Sequence, residues 1–345
     1  MEFNKLEQKL SHSIKVDDKS YLYFGGTAYL GIPQNKDFIK LYIEGIERYG
    51  LNNGTSRGNN VQLGIYNEAE AFIAKRYGAE TALITSSGYL AAKLTVKTYA
   101  KKGEIRYAPH THPALWIDDS PENHLSFETW TGQIVKEINN STIDNWVLLS
   151  NSMNNLYPEI YDFGFIKNIS SDKQIVLIID DSHGIGLLNG GNSVLQNLSH
   201  VPNVEIVVVA SMAKALGLDA GVVLGSEKAI AQLKKSDEFY GASPPAAAGL
   251  YAFINAQQIY QQAYQQLQQN VKIFTQTIRN NQDWHFVEDF PVFLCKREHI
   301  EQRLLEEKIL ISSFPYPDRN GKILNRIVLS SWHTETDISK LLAAL

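Results

Sequence analysis

The chain has 345 residues, 44% hydrophobic and 20% charged, the balance of a globular protein long enough for about two domains. A formal charge of -5, with no dense Lys/Arg block, removes the general electrostatic case for binding nucleic acid or an acidic membrane. Cys295 is alone, so no intrachain disulfide forms and a reducing compartment is expected. The start Met1-Glu2-Phe3-Asn4-Lys5 carries charge where a signal peptide needs an apolar core, and no apolar run reaches spanning length. A cytoplasmic location is the expectation.

From Asp37 onward helical and strand signals alternate, which predicts an α/β fold. Asp37-Phe38-Ile39 opens a helix that ends near Tyr49-Gly50. Asn67 to Tyr77 reads as a second, with Ala69, Phe72, Ile73 and Tyr77 at helical spacing and Gly78 as its stop. Thr81–Thr85 is a short strand, and Ser86-Ser87-Gly88-Tyr89 turns from it into another helix. Trp146–Leu149, Ile175–Ile179 and Val204–Val209 are apolar runs of buried-strand length. Pro245 to Asn280 reads as one long helix with Ile259, Ala263, Leu267, Val271, Phe274 and Ile278 as its stripe and glutamines on the wet face. Val287 to Leu345 carries its own strand and helix signals, broken at Asp289-Phe290-Pro291. The expected division is 1-40, a segment packing with a small domain; 41-245, a large domain; and 246-345, a connecting helix and that smaller C-terminal domain.

Three stretches carry chemistry. Lys214 follows the run Val204–Val209, and the carboxyl ends of strands are where open α/β sheets place ligands. A lysine drawn out of water there is a candidate for an imine with a carbonyl compound; a solvated loop lysine is the plain alternative. Asp180 ends the run Ile175–Ile179, where a carboxylate either caps the next helix or pairs with a cation such as a protonated heterocyclic nitrogen. His183 lies three residues on, and no second ligand cluster supports a metal. The turn Ser87-Gly88-Tyr89 is either a simple cap or an anion site built from free amides, and the Ser211 hydroxyl is placed to donate to the same anion. A phosphate, a cationic ring nitrogen and an aldehyde together describe pyridoxal 5'-phosphate.

The order of these pieces resembles the fold-type I pyridoxal-phosphate enzymes, in the α-oxoamine synthase (8-amino-7-oxononanoate synthase-like) branch of class II aminotransferases. Asp180-Asp181-Ser182-His183-Gly184 is similar to that family's "DEAHxxG", and Ser211-Met212-Ala213-Lys214-Ala215-Leu216-Gly217 to its "TLxKAxG". Tyr29-Leu30-Gly31, Tyr49-Gly50 through Arg57, and Ser87-Gly88-Tyr89 resemble its "YLG", glycine-rich and "SGY" stretches. The resemblance implies a large domain with a mostly parallel sheet plus a smaller C-terminal α/β domain. It implies pyridoxal phosphate joined to Lys214, with Asp180 at the ring nitrogen and His183 at the ring's phenolic oxygen. Ser87, Gly88, Tyr89 and Ser211 would hold the phosphate. His112 in Thr111-His112-Pro113-Ala114 would stack on the ring, with His110 as runner-up. Ser152 would reach the phenolic oxygen, and Arg326 in Arg326-Ile327-Val328-Leu329-Ser330-Ser331-Trp332-His333 would bind the substrate carboxylate.

The implied reaction condenses an amino acid with an acyl-CoA, in a homodimer whose site lies at the interface. An aminotransferase on the same scaffold and a non-catalytic binding or scaffold protein are the alternatives. Several positions depart from the pattern. Tyr66 stands where the synthases have histidine, and Ala69-Glu70 replaces "LE". Gly241 replaces the threonine that reaches the partner's phosphate, which leaves Ser243 to compensate.

Overall fold

The computed structural model describes residue 3, residues 5–316 and residues 320–345; Met1, Glu2 and Asn4 of the charged start lie outside the described residues. In chain order the elements that position the site are β1 (Ser13–Val16), β2 (Lys19–Phe24), α1 (Lys36–Tyr49), α2 (Ile65–Tyr77), β3 (Thr81–Thr85), α3 (Gly88–Tyr99), β4 (Glu104–Tyr107) and β5 (Asn145–Asn151). They continue with β6 (Gln174–Asp180), β7 (Val204–Ser211), β8 (Gly221–Gly225), α4 (Ala247–Asn255) and α5 (Gln257–Ile278). The last are β9 (Trp284–Phe286), β10 (Val292–Cys295), β11 (Ile309–Tyr316), β12 (Lys322–Val328) and α6 (Glu335–Ala344).

Local chemistry sets the helix ends. The Asn35 side chain accepts from the Asp37 and Phe38 amides at 3.0 Å each, which starts α1. Gly78 stops α2 in the left-handed conformation, at φ 71°. The Ser87 hydroxyl accepts from Leu90 N at 3.1 Å and caps α3.

One sheet has the order β3-β8-β7-β6-β5-β4. Strands β4 to β7 are parallel, and β8 runs antiparallel between β7 and β3. Its faces both pack inward: Leu148, Leu177, Ile179, Val208 and Ala210 join one core, while Val147, Leu149, Ile178, Val207 and Val209 join another. Burial on both sides explains why these strands read as unbroken apolar runs rather than alternating ones. The second sheet has the order β1-β2-β11-β12-β10-β9, so strands from the two ends of the chain share it. There β2 is parallel to β11, and β11, β12, β10 and β9 run antiparallel in turn. Phe274 of α5 packs on Phe293 and Trp284 at 4.6 and 5.7 Å between ring centroids.

The long helix expected over Pro245 to Asn280 is two helices. The break falls at Ala256, which is fully buried at φ -96°, ψ 24°. Carbonyls near the break take side-chain donors: Gln257 Nε2 donates to the Phe253 carbonyl at 3.2 Å, and Asn255 Nδ2 to the Tyr251 carbonyl at 2.8 Å. No glycine or proline marks the turn, so the periodicity ran through it. Among the described residues no helix is long and apolar enough to cross a membrane.

Candidate active site

The carboxyl ends of β4 to β7 open into a cavity of about 670 Å³. Lys214, Asp180, His183 and His112 all line it, joined by His110 and Asn151. Parallel strands explain the convergence: each ends on the same edge of the sheet, and the chain leaves each end into a loop. A second cavity of about 380 Å³ lies against β10 and β12 and is lined by none of the expected cofactor or substrate residues.

Asp180 is the last residue of β6 and only 8% exposed. Its Oδ1 accepts from Ser182 N at 2.9 Å, and among the described residues no salt bridge reaches it. Burial lowers the Lys214 pKa from the ordinary lysine value, and the Asp180 charge opposes the shift. The lowered value raises the fraction of free amine, the form that attacks a carbonyl. His183 is held well below the usual histidine range by burial, then by Lys214, Arg326 and His112, so its ring is neutral at pH 7. Its Nδ1 lies 2.8 Å from the Tyr29 hydroxyl.

His112 and His110 both face the cavity, in different electrostatic surroundings. Burial lowers the pKa of each, but Asp180 and Lys214 act on His112, whereas Glu159 and His124 act on His110. His112 is therefore the one coupled to the lysine and carboxylate. Its Nδ1 accepts from Ala114 N at 3.1 Å, and its amide donates to Asn151 Oδ1 at 3.0 Å. Asn151 also donates to the His110 carbonyl at 2.6 Å, which ties both histidines to the end of β5.

The turn into α3 sits against the end of β7. A Cβ on Gly88 would stand 2.5 Å from Ser211 Cα, so only glycine permits this approach. A Cβ on Gly221 would meet the Ser87 carbonyl at 2.1 Å, so β8 closes on the same turn. The Gly88 and Tyr89 amides open α3 and have no intrahelical acceptor. Ser182 Oγ accepts from Ser211 N at 2.8 Å, which links this turn to the Asp180 strand end.

Ser152 departs from its expected place. It is fully buried and absent from the cavity lining, which takes Asn151 and Met153 on either side. Side chains alternate along extended backbone, so the direction that turns Asn151 into the cavity turns Ser152 away. Its hydroxyl lies on the Asp181 side without a well-formed hydrogen bond. Ser243 is exposed, and like Ser87, Gly88, Tyr89, Ser211 and Arg326 it is outside the lining.

Arg326 in β12 is 5% exposed, and its Nε and Nη2 have no hydrogen-bond partner among the described residues. A buried guanidinium with unfilled donors is a carboxylate receptor in its chemistry. The departures at Tyr66 and Glu70 are built into the core. Tyr66 donates to the Pro245 carbonyl at 3.1 Å, and the Glu70 carboxylate accepts from Arg57, Lys234 and Ile84 N at 3.0, 2.8 and 3.2 Å.

Asp181, the neighbour of Asp180, is fully buried. Burial pushes its pKa up to about 7, against the Val194 amide that donates to Oδ2 at 3.0 Å. An unfolded aspartate titrates near ~3.9. Between these values the native state keeps a proton that the unfolded state has lost, so stability falls as pH rises from about 4 to about 7. The slope contributed is at most about 1.4 kcal/mol per pH unit. Asp181→Asn is expected to remove it, read as the variant-minus-wild-type difference in urea melts across that range; a flat difference contradicts the assignment.

The sequence profile described as "Aminotransferase class I and II" matches residues 32–345. A putative 8-amino-7-oxononanoate synthase of Methanococcus aeolicus is 26% identical over 356 residues, covering 98% of this chain and 92% of that protein. An 8-amino-7-oxononanoate synthase of Dechloromonas aromatica is 26% identical over 254 residues, covering 70% of this chain and 66% of its own. Among solved structures, Sphingomonas wittichii serine palmitoyltransferase superposes with a TM-score of 0.81 at 17% identity, over 99% of this chain and 90% of the other. The 8-amino-7-oxononanoate synthase of Francisella tularensis gives 0.70 at 18% identity, over 94% and 96%. These superpositions place the chain in the fold-type I architecture.

Proposed function

The chain belongs to the class I and II aminotransferase family, and on that premise we propose that it is a pyridoxal-phosphate-dependent transferase that joins an amino acid to an acyl-CoA, the reaction implied by its resemblance to the α-oxoamine synthases; similar proteins carry the name 8-amino-7-oxononanoate synthase. The observation that carries this reading is the convergence of Lys214, Asp180, His183 and His112 on one cavity at the sheet's carboxyl edge. The donor set fits the cofactor. Lys214 offers an amine of lowered pKa, Asp180 a carboxylate that no salt bridge reaches among the described residues, and the Gly88 turn a close backbone approach with amides outside the helical bonding. When bound, pyridoxal phosphate supplies an aldehyde for amines and an electron-withdrawing ring that eases bond breaking at the substrate Cα.

Each protein group then has a distinct task. Lys214 holds the cofactor and, once released, moves the proton at Cα. Asp180 keeps the ring nitrogen protonated by charge pairing. His183 directs a donor at the phenolic oxygen, and His112 covers one ring face. The amides of Gly88 and Tyr89, with the Ser87 and Ser211 hydroxyls, hold the phosphate. Ser243 contributes from a second copy in a homodimer. Exposed apolar side chains support that assembly: Ile39 and Ile43 on α1, Leu51 at 74% and Val61 at 73%.

The test is to load the protein with pyridoxal phosphate, add single amino acids with and without an acyl-CoA, and follow free thiol. Thiol release that requires both substrates is expected. Keto-acid formation with no use of thioester assigns aminotransferase chemistry instead.

Arg326 selects the amino acid through its carboxylate. Arg326→Lys loses bidentate recognition at a buried site and is expected to raise the amino-acid KM roughly ten- to a hundredfold, with a smaller change in kcat. Steady-state kinetics at saturating acyl-CoA check it, and an unchanged KM removes Arg326 from the site.

A further inference from the structure

Tyr29 is fully buried in the segment between β2 and α1, and none of the site roles above falls to it. Three observations give it one. Its hydroxyl lies 2.8 Å from His183 Nδ1, across 154 residues of sequence. The Arg326 charge acts on the same hydroxyl, and its Nε and Nη2 have no hydrogen-bond partner among the described residues. Its backbone is fastened to the chain just beyond β12, the strand that carries Arg326: Ser331 N donates to the Tyr29 carbonyl at 3.0 Å, and Ser330 Oγ to the Ala28 carbonyl at 2.6 Å.

We propose that Tyr29 is a positioning residue that joins carboxylate recognition at Arg326 to the ring contact at His183. Its hydroxyl donates to Nδ1, fixing the His183 tautomer with the proton on Nε2, and receives the Arg326 guanidinium on its oxygen. Burial raises the Tyr29 pKa to about 12, so the hydroxyl keeps its proton. Burial and nearby cations keep His183 neutral, so Nδ1 remains an acceptor. With the guanidinium on the Tyr29 oxygen, the three groups would form one hydrogen-bonded chain, in which each bond polarises the next. A carboxylate docking on Arg326 draws the guanidinium away from the Tyr29 oxygen, weakens the hydroxyl as a donor, and alters the Nε2 proton on the cofactor side. Substrate binding is thereby reported to the ring.

The inference rests on the proposed roles of His183 and Arg326, and its test separates the two. In full-length protein with ¹⁵N-labelled histidine, before cofactor is added, His183 should show an unprotonated Nδ1 and a protonated Nε2. Propionate, a carboxylate without an amine, should shift both signals in the wild type and not in Tyr29→Phe, which keeps the ring packed against Phe290. With cofactor loaded, Tyr29→Phe should retain the lysine–cofactor absorption band while kcat falls roughly tenfold. A protonated Nδ1 in the wild type, or equal propionate shifts with and without the hydroxyl, overturns the proposal. A wild type that forms no lysine–cofactor band overturns the proposed function instead, because the nitrogen signals are read without cofactor.

Discussion

Lys214→Ala is expected to lower turnover by at least about 10³-fold, because one change removes both the covalent anchor and the group that moves the Cα proton. The fold should survive. Lys214 lies in the loop after β7, and its neighbours Met212, Ala215 and Leu216 supply the packing there. The phosphate turn is also untouched, since Gly88 and Ser211 meet through backbone. The variant should therefore still take up pyridoxal phosphate, without the shifted absorption band of a lysine adduct. An added primary amine should restore part of the proton-transfer rate. A variant with near-wild-type turnover would remove the lysine from the chemistry.

The second large effect is at Asp180. Asp180→Asn keeps the size of the side chain and an oxygen for the Ser182 amide, so the end of β6 should hold its shape. The charge is lost, and with it the partner that keeps a ring nitrogen protonated at neutral pH. We expect a fall in kcat of roughly 10²- to 10³-fold, with little change in cofactor affinity, because the phosphate contacts lie elsewhere. Asp181→Asn serves as the matched control. That residue is fully buried on the other side of the strand end and does not line the cavity. Equal losses in the two variants would point to structural damage rather than to a charge at the ring.

The sequence was most informative where chemistry coincides with a strand end. An apolar run followed by Asp180, or by Ser211 and Lys214, gives both the buried element and the residue displayed at its tip. Parallel pairing brings those tips to one edge, so residues far apart in sequence could be grouped before any coordinates. Side-chain direction was less legible. Ser152 stands one residue beyond β5, and a single step of alternation turns it away from the cavity while admitting Asn151. The break at Ala256 was hidden because apolar and glutamine residues continue at helical spacing through it. Tyr29 was visible as a motif but not as a contact, since its partner His183 is reached only when the N-terminal segment docks beside β12. The antiparallel β8 carries the glycine that closes on the Ser87 turn, and no local pattern announces that meeting.

All of this chemistry depends on the Lys214 amine holding pyridoxal phosphate in this cavity. Borohydride reduction of the cofactor-loaded protein, followed by proteolysis and mass spectrometry, tests it most directly. One phosphopyridoxyl group is expected, attached to the peptide containing Lys214 and absent from Lys214→Ala. A label at another lysine, or no label at all after full loading, would contradict it.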